Sequence, residues 1–134
     1  MTSLIYLAAT ANLIAAGIDS ASTIKHLTPG MELNPLARRL MRWLGMRPAV
    51  YACFALIACV TLSATAACLA IDSAALTALC ASSLLLEAVL HCMAAHVNTT
   101  GGFNRWTKPL LAPVVLCYSA WDRVWSAWER RGSN

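Results

Sequence analysis

Three apolar runs of about 20 residues each leave this chain little choice of fold. They are "SLIYLAATANLIAAGIDSASTIK" (residues 3–25), "PAVYACFALIACVTLSATAACLAI" (48–71) and "SAALTALCASSLLLEAVLHCMAAHV" (73–97). Each is long enough for a helix to cross the roughly 30 Å hydrocarbon core of a bilayer. In a chain of 134 residues they leave no room for a separate soluble domain. Only 12% of residues are charged, about half the usual share for a soluble domain. The expected fold class is therefore an all-α membrane protein, one integral-membrane domain over residues 1–134.

The connections carry local signals of their own. Asp72 and Ser73 form a short link that makes spans two and three an antiparallel hairpin, with Asp72 expected to cap the third span. Between spans one and two, Asn34 suits a helix N-cap, Pro35 the first helical position and Gly45 the end. Leu36, Leu40, Trp43 and Leu44 make one face of that 35–44 helix, and Arg38, Arg39 and Arg42 lie largely off it. This is the pattern of a helix on a membrane surface. "NTTGG" (98–102) reads as a turn. Residues 109–130 then form a second amphipathic segment, with Trp121, Trp125 and Trp128 at helical spacing beside Leu111, Val114 and Tyr118. Its apolar part is short for a crossing, and Trp and Tyr favour the headgroup level, so an interfacial helix is expected.

Basic residues decide orientation. Lys25, Arg38, Arg39, Arg42 and Arg47 crowd the first connection, and Arg105, Lys108 and the tail carry the rest; the other connection has Asp72 and no basic residue. The positive-inside rule places the N-terminus outside and the C-terminus in the cytoplasm of a cell inner membrane. Met1-Thr2-Ser3 lacks the basic start of a secretory signal, so the first run reads as a retained helix. The six Cys show no paired spacing and read as buried small residues. The expected partners are the bilayer itself, anionic lipid headgroups at the basic loop, and a second copy of the chain in a homo-oligomer; nothing suggests nucleic acid.

Carboxylates inside a span are costly, about 2.5–3.5 kcal/mol each at the bilayer centre on insertion scales. This chain has two, Asp19 and Glu87. Span one lines up Asn12, Ala16, Asp19, Thr23 and His26 on one face. Span three lines up Ser83, Glu87, His91 and Asn98, and span two the milder Thr61, Thr65, Cys68 and Asp72. At ~1.5 Å per residue, Asp19 and His91 lie roughly 10 Å from the cytoplasmic ends of their helices, with Glu87 one turn deeper. An inward cluster of Asp19, Thr23, His26, Glu32, Asn34, Glu87 and His91, opening to the cytoplasm, follows. His96 sits off the stripe and reads as an interfacial residue.

Asp19 to Thr23 ("DSAST") followed by Gly30 to Leu36 ("GMELNPL") resembles a family of small bacterial and archaeal integral-membrane proteins of unknown function. Its pattern is an Asn, then Asp-x-x-x-Thr in the first helix, then Gly-x-x-Glu-x-Asn-Pro in the loop. Asn12, Asp19, Thr23, Glu32, Asn34 and Pro35 match it, and Asn98 matches a polar residue late in a further helix. Where the family often has a Lys early in the next span, this chain has Arg47-Pro48. The resemblance implies a shared site at these residues but no activity.

The candidate ligand-binding residues are thus Asn12, Asp19, Thr23, Glu32, Asn34, Glu87, His91 and Asn98. Asp19, Glu32, Glu87 and His91 could hold a divalent metal through mixed N/O ligation, although no H-E-x-x-H or Cys/His signature is present. Position 37 is Ala, so Glu32 has no part in a capping box, and a fold-back toward His26, His91 or Asn98 is expected of it. There is no nucleophile elbow, phosphate loop or dinucleotide fingerprint. The leading expectation is a membrane protein whose pocket binds a cation, a proton or a polar headgroup. The alternatives are a phage holin-like or other membrane-structural oligomer, and an intramembrane enzyme using Asp, Glu and His as acid and base.

Overall fold

The computed structural model describes residues 2–132, apart from the side chains of Trp128, Glu129 and Arg131; the expected roles of Trp128 in the tryptophan stripe and Glu129 beside it therefore lie outside the described residues. Five helices follow in order: α1 (Thr2–His26), α2 (Pro35–Leu44), α3 (Met46–Ile71), α4 (Ala74–Thr100) and α5 (Thr107–Gly132). No strand occurs among the described residues. Three of the helices, α1, α3 and α4, are long and apolar enough to cross a membrane.

Their packing inverts that of a soluble bundle. Leu7, Ile14, Leu56, Leu62, Leu79 and Leu86 point outward, while Ala8, Ala15, Asn12, Thr61 and Thr65 are buried. Such an arrangement leaves the apolar surface for hydrocarbon and reserves the helix contacts for small and polar side chains.

The tightest contact is between α1 and α4, which run parallel. On α4 the inward residues are Thr77, Ala81, Leu84, Ala88, His91, Ala95 and Asn98, alternating four and three apart. On α1 the matching set is Ile5, Ala8, Asn12, Ala15, Asp19 and Ser22. This is a heptad seam, and its alanines allow close backbone approach. At one end it closes into an apolar cluster of Ile5, Ala8, Ala9, Cys68, Ala81 and Leu84. At the other end, the end bearing the basic residues, the same seam carries Asp19, Ser22, His91 and Asn98.

Two expectations about helix ends need correction. Asp72 does not cap α4; it closes α3 in the left-handed conformation (φ 48°) and is exposed. Ser73 caps α4, its Oγ accepting the Leu76 N–H at 3.4 Å. A two-residue link needs one residue to reverse the chain and one to start the next helix, and the hydroxyl one turn below the N–H groups takes the second task. Ser73→Ala should lower stability by about 1 kcal/mol, read as an earlier unfolding midpoint in detergent, and Ser73→Asp should restore it. Likewise "NTTGG" is not all turn: α4 continues to Thr100, and Gly101 ends it at φ 76°. Asn98 is therefore a helical residue held on the seam.

The α2 caps are as the sequence implies. Asn34 Oδ1 accepts the N–H groups of Leu36 (3.0 Å) and Ala37 (3.4 Å), and Gly45 supplies the positive φ of 86° between α2 and α3. The face of α2 that packs on α3 is Ala37 and Met41, against Ala49 and Val50. Leu36, Trp43 and Leu44 stay exposed. Asn104 and Thr107 cap α5 reciprocally: Asn104 Oδ1 accepts the Thr107 N–H (2.9 Å) and Thr107 Oγ1 accepts the Asn104 N–H (3.0 Å). Asn104 also bonds His96 Nε2 at 3.0 Å, so His96 ties α4 to the start of α5. Farther along, Arg38 on α2 pairs with Asp122 on α5 at 2.9 Å, and Arg39 lies 5.0 Å over the Trp125 ring. These contacts hold α5 across the basic end of the bundle.

Candidate functional site

The polar side chains of the spans meet in two tiers. In the deeper tier Asn12, fully buried, donates from Nδ2 to Thr61 Oγ1 on α3 (3.1 Å) and to Glu87 Oε2 on α4 (3.0 Å). One amide thus ties three helices together. Its Oδ1 has no partner. Thr65 Oγ1, one turn along, bonds back to the Thr61 carbonyl and adds nothing across helices.

In the shallower tier Asp19 is the centre. Its Oδ2 lies 2.9 Å from His91 Nδ1, and its Oδ1 accepts from Asn98 Nδ2 at 3.2 Å. Asn98 Nδ2 also faces Ser22 Oγ at 3.1 Å and Thr23 Oγ1 at 3.0 Å. Two amide hydrogens are shared among three acceptors, which pins Asn98 from several directions. Ser22 Oγ donates onward to the Asp19 carbonyl (2.8 Å). Ser22 is not among the residues expected from sequence; its one signal there is its place three residues after Asp19 on the same face. The pairs Asn12–Glu87, Asp19–His91 and Thr23–Asn98 repeat one nearly constant offset along the chain, as parallel neighbours must.

Both tiers border one cavity of about 970 Å³. Asp19, Thr23, Glu32, Asn34, Glu87, His91 and Asn98 line it, with His26 among them. Asn12 does not line it and enters only through its bond to Glu87. Glu87 departs from expectation in another way: it is exposed, and so is Ser83. Steps of four residues drift off a seam that alternates four and three, so Glu87 sits at the edge of the seam, still bonded to Asn12 of α1. Glu87 therefore faces the cavity rather than the packed seam.

Glu32 has a local duty after all. Its Oε1 accepts the Asn34 N–H at 2.8 Å. That N–H belongs to the residue that caps α2, so the loop carboxylate holds the cap in place without a capping box. Burial pushes the Glu32 carboxyl above its ordinary value of 4.5, and the charge of Asp19 adds to this; the N–H groups of Asn34 and Leu33 and the Arg38 guanidinium oppose it. Tyr118, from α5, lines the same cavity, and burial together with the charges of Glu32 and Asp19 pushes its phenol upward, which keeps it a hydroxyl donor. Neither Tyr118 nor the rest of the α5 wall was placed here by sequence.

The raised Glu32 carboxyl has a definite pH signature. A carboxyl that holds its proton more tightly folded than unfolded stabilises the fold below the ordinary value near 4.5. That contribution is lost as pH rises through the higher folded value. Asp19, His26, Arg38, Cys53 and Tyr118 are among the titratable or charged groups around it. Glu32→Gln should flatten the fall in apparent Tm between pH 4.5 and neutrality; an unchanged slope would assign it to another group.

The four candidate metal ligands do not converge. Asp19 and His91 pair with each other, Glu87 with Asn12, and Glu32 with the Asn34 backbone. Among the described residues no three His, Cys, Asp or Glu side chains form a metal-holding group. The reason is partnering: Glu87 is turned to Asn12, His91 to Asp19 and Glu32 to the Asn34 backbone. The Asp19–His91 contact has a further chemical meaning. With Nδ1 engaged by a carboxylate, the ring is oriented and Nε2 is its other nitrogen, the arrangement of an imidazole acid or base. No family model, curated protein or solved structure matches the chain, so the geometry of this cavity is what its function is read from.

Proposed function

We propose that this is a multi-pass protein of the cell inner membrane whose cytoplasm-facing intramembrane cavity binds a small positively charged ligand. The observation that carries the reading is the lining of the cavity. Three acids, Asp19, Glu32 and Glu87, border it against two histidines, and no Lys or Arg lines it among the described residues, Arg38 reaching Glu32 only from outside the lining. A site of that sign favours a cation and opposes a phosphate. The volume sits at the upper end of the ~300–1,000 Å³ common for small-molecule sites. The residues behind the family resemblance add support: Asp19, Thr23, Glu32, Asn34 and Asn98 line this cavity, and Asn12 reaches it through Glu87. Orientation rests on the basic residues, which α1 to α4 gather at the cavity end, with Asp72 at the other. The exposed Trp43, Trp106 and Trp121 at that end suit a headgroup layer, as does Arg105 stacked on Trp106 at 4.9 Å.

Titration of the purified protein in detergent with organic amines and with Mg²⁺, by calorimetry, tests the reading. Saturable binding of a cation that Asp19→Asn weakens is expected. If no amine and no metal cation binds, the proposal fails.

The Asp19–His91 pair favours a second reading, an intramembrane acid–base enzyme in which His91 exchanges a proton with a bound substrate and Asp19 orients it. For that reading His91→Gln should abolish turnover and leave ligand affinity nearly unchanged.

A further inference from the structure

We infer that the ligand of this cavity is a linear aliphatic polyamine, an extended chain carrying two or more ammonium groups, rather than a metal ion or a single-charge amine. The inference rests on the cation-binding reading above and specifies the chemical class.

The cavity combines acidic side chains at several depths with a largely aliphatic lining. α1, α4 and the loop before α2 carry the acids: Glu32 at the mouth, Asp19 below it and Glu87 deepest. α3 and α5 add aliphatic side chains such as Leu56, Val60 and Val114 together with the Tyr118 hydroxyl, and α4 contributes Leu90 and Val97 beside its acid. From Asn98 to Glu87 the polar lining runs eleven residues of α4, about 16 Å at ~1.5 Å per residue. A bare metal ion needs several oxygen or nitrogen ligands at one point, and here the acids are strung out instead. A headgroup with one charge would meet one acid and leave the charge of the others in the cavity without a ligand counter-charge. A chain with ammonium groups separated by methylenes meets both demands. Its charges fall beside successive carboxylates, and its methylenes lie against the aliphatic side chains between them. Glu32 can take part without losing its structural bond, because only Oε1 is engaged by the Asn34 N–H. In the same way Glu87 gives Oε2 to Asn12 and keeps Oε1.

The test is calorimetric titration of the detergent-purified full chain, at low salt, with spermidine, hexylamine and MgCl₂ in turn. Spermidine is expected to bind saturably and about tenfold or more tighter than hexylamine, since each further charge-assisted contact adds to the first. Glu32→Gln and Glu87→Gln keep the acceptor oxygens for the Asn34 and Asn12 donors, so both should remain folded and monodisperse. Each should weaken spermidine severalfold, whereas hexylamine should respond to one of them at most. If hexylamine matches spermidine, or only one of the two variants affects spermidine, the site takes a single charge and the polyamine assignment is overturned while cation binding stands. If Mg²⁺ binds saturably and displaces spermidine, the ligand is inorganic and the assignment is again overturned. If none of the three binds, the assignment falls together with the reading beneath it.

Discussion

Ala81→Leu is expected to destabilise the protein more than any single change at the lipid-facing surface, by about 1–3 kcal/mol. Ala81 is 1% exposed and lies in the apolar end of the seam with Ile5, Ala8, Ala9, Cys68 and Leu84. The hydrophobic effect does little to hold α1 against α4 inside hydrocarbon, because lipid chains are as apolar as leucine. What remains is close packing, and the fully buried position 81 has room for no more than a methyl group. A leucine must push the helices apart or leave its rotamer minimum, and separation would also lengthen the Asp19–His91 and Asn98 contacts farther along the seam. Leu79→Ala makes the matched control, since Leu79 is 66% exposed and faces outward. Denaturation in mixed micelles should show a clear loss for the first and a small change for the second. Equal tolerance of both would mean that the heptad of alanines is not where these helices meet.

How far the sequence disclosed this arrangement depends on which physical rule each residue obeys. Asp19, Glu87 and His91 stood out because a polar group in hydrocarbon is costly wherever the helix lies, and Asn98, read as a turn residue, stood out only by continuing their stripe. Asn34, Pro35 and Gly45 stood out because capping is decided within a few residues. The details that escaped were decided between helices. Whether a stripe steps by fours or alternates fours and threes separates Glu87, facing the cavity, from His91, on the seam; the residue spacing permits both until a partner helix is specified. The α5 wall with Tyr118 could not be placed, because the contacts that dock it include the Arg38–Asp122 pair between residues 84 positions apart. Such a half-exposed pair contributes only ~0–1 kcal/mol and leaves no periodic mark. Glu32 falls between the two cases. Its bond to the Asn34 N–H is local, but it follows a geometry outside the S/T-x-x-E pattern.

Asp19→Asn separates ligand binding from bundle glue. The substitution keeps size and shape and removes the charge at the centre of the shallower tier. The new amide would still offer one oxygen, to either His91 or Asn98, and would add a donor where both existing partners also donate. The network therefore loses one bond and gains a mismatch. Interhelical hydrogen bonds of this kind average about 0.6 kcal/mol in a membrane bundle, so the fold should survive with a modestly lower unfolding midpoint. Binding should respond far more. A charge about 4 Å from an ammonium group is worth about 4 kcal/mol at an effective dielectric constant near 20, and the partial exposure of Asp19, 21%, reduces that. A loss of about a hundredfold in spermidine affinity is the expected result, equivalent to about 2.7 kcal/mol. Asp19→Ala, which leaves His91 and Asn98 without their acceptor, should add a larger loss of stability to the same loss of affinity. If Asp19→Asn binds spermidine as the native chain does while its stability falls by several kcal/mol, the carboxylate serves to hold α1 to α4, and the cavity's charge has to be sought in Glu32 and Glu87 alone.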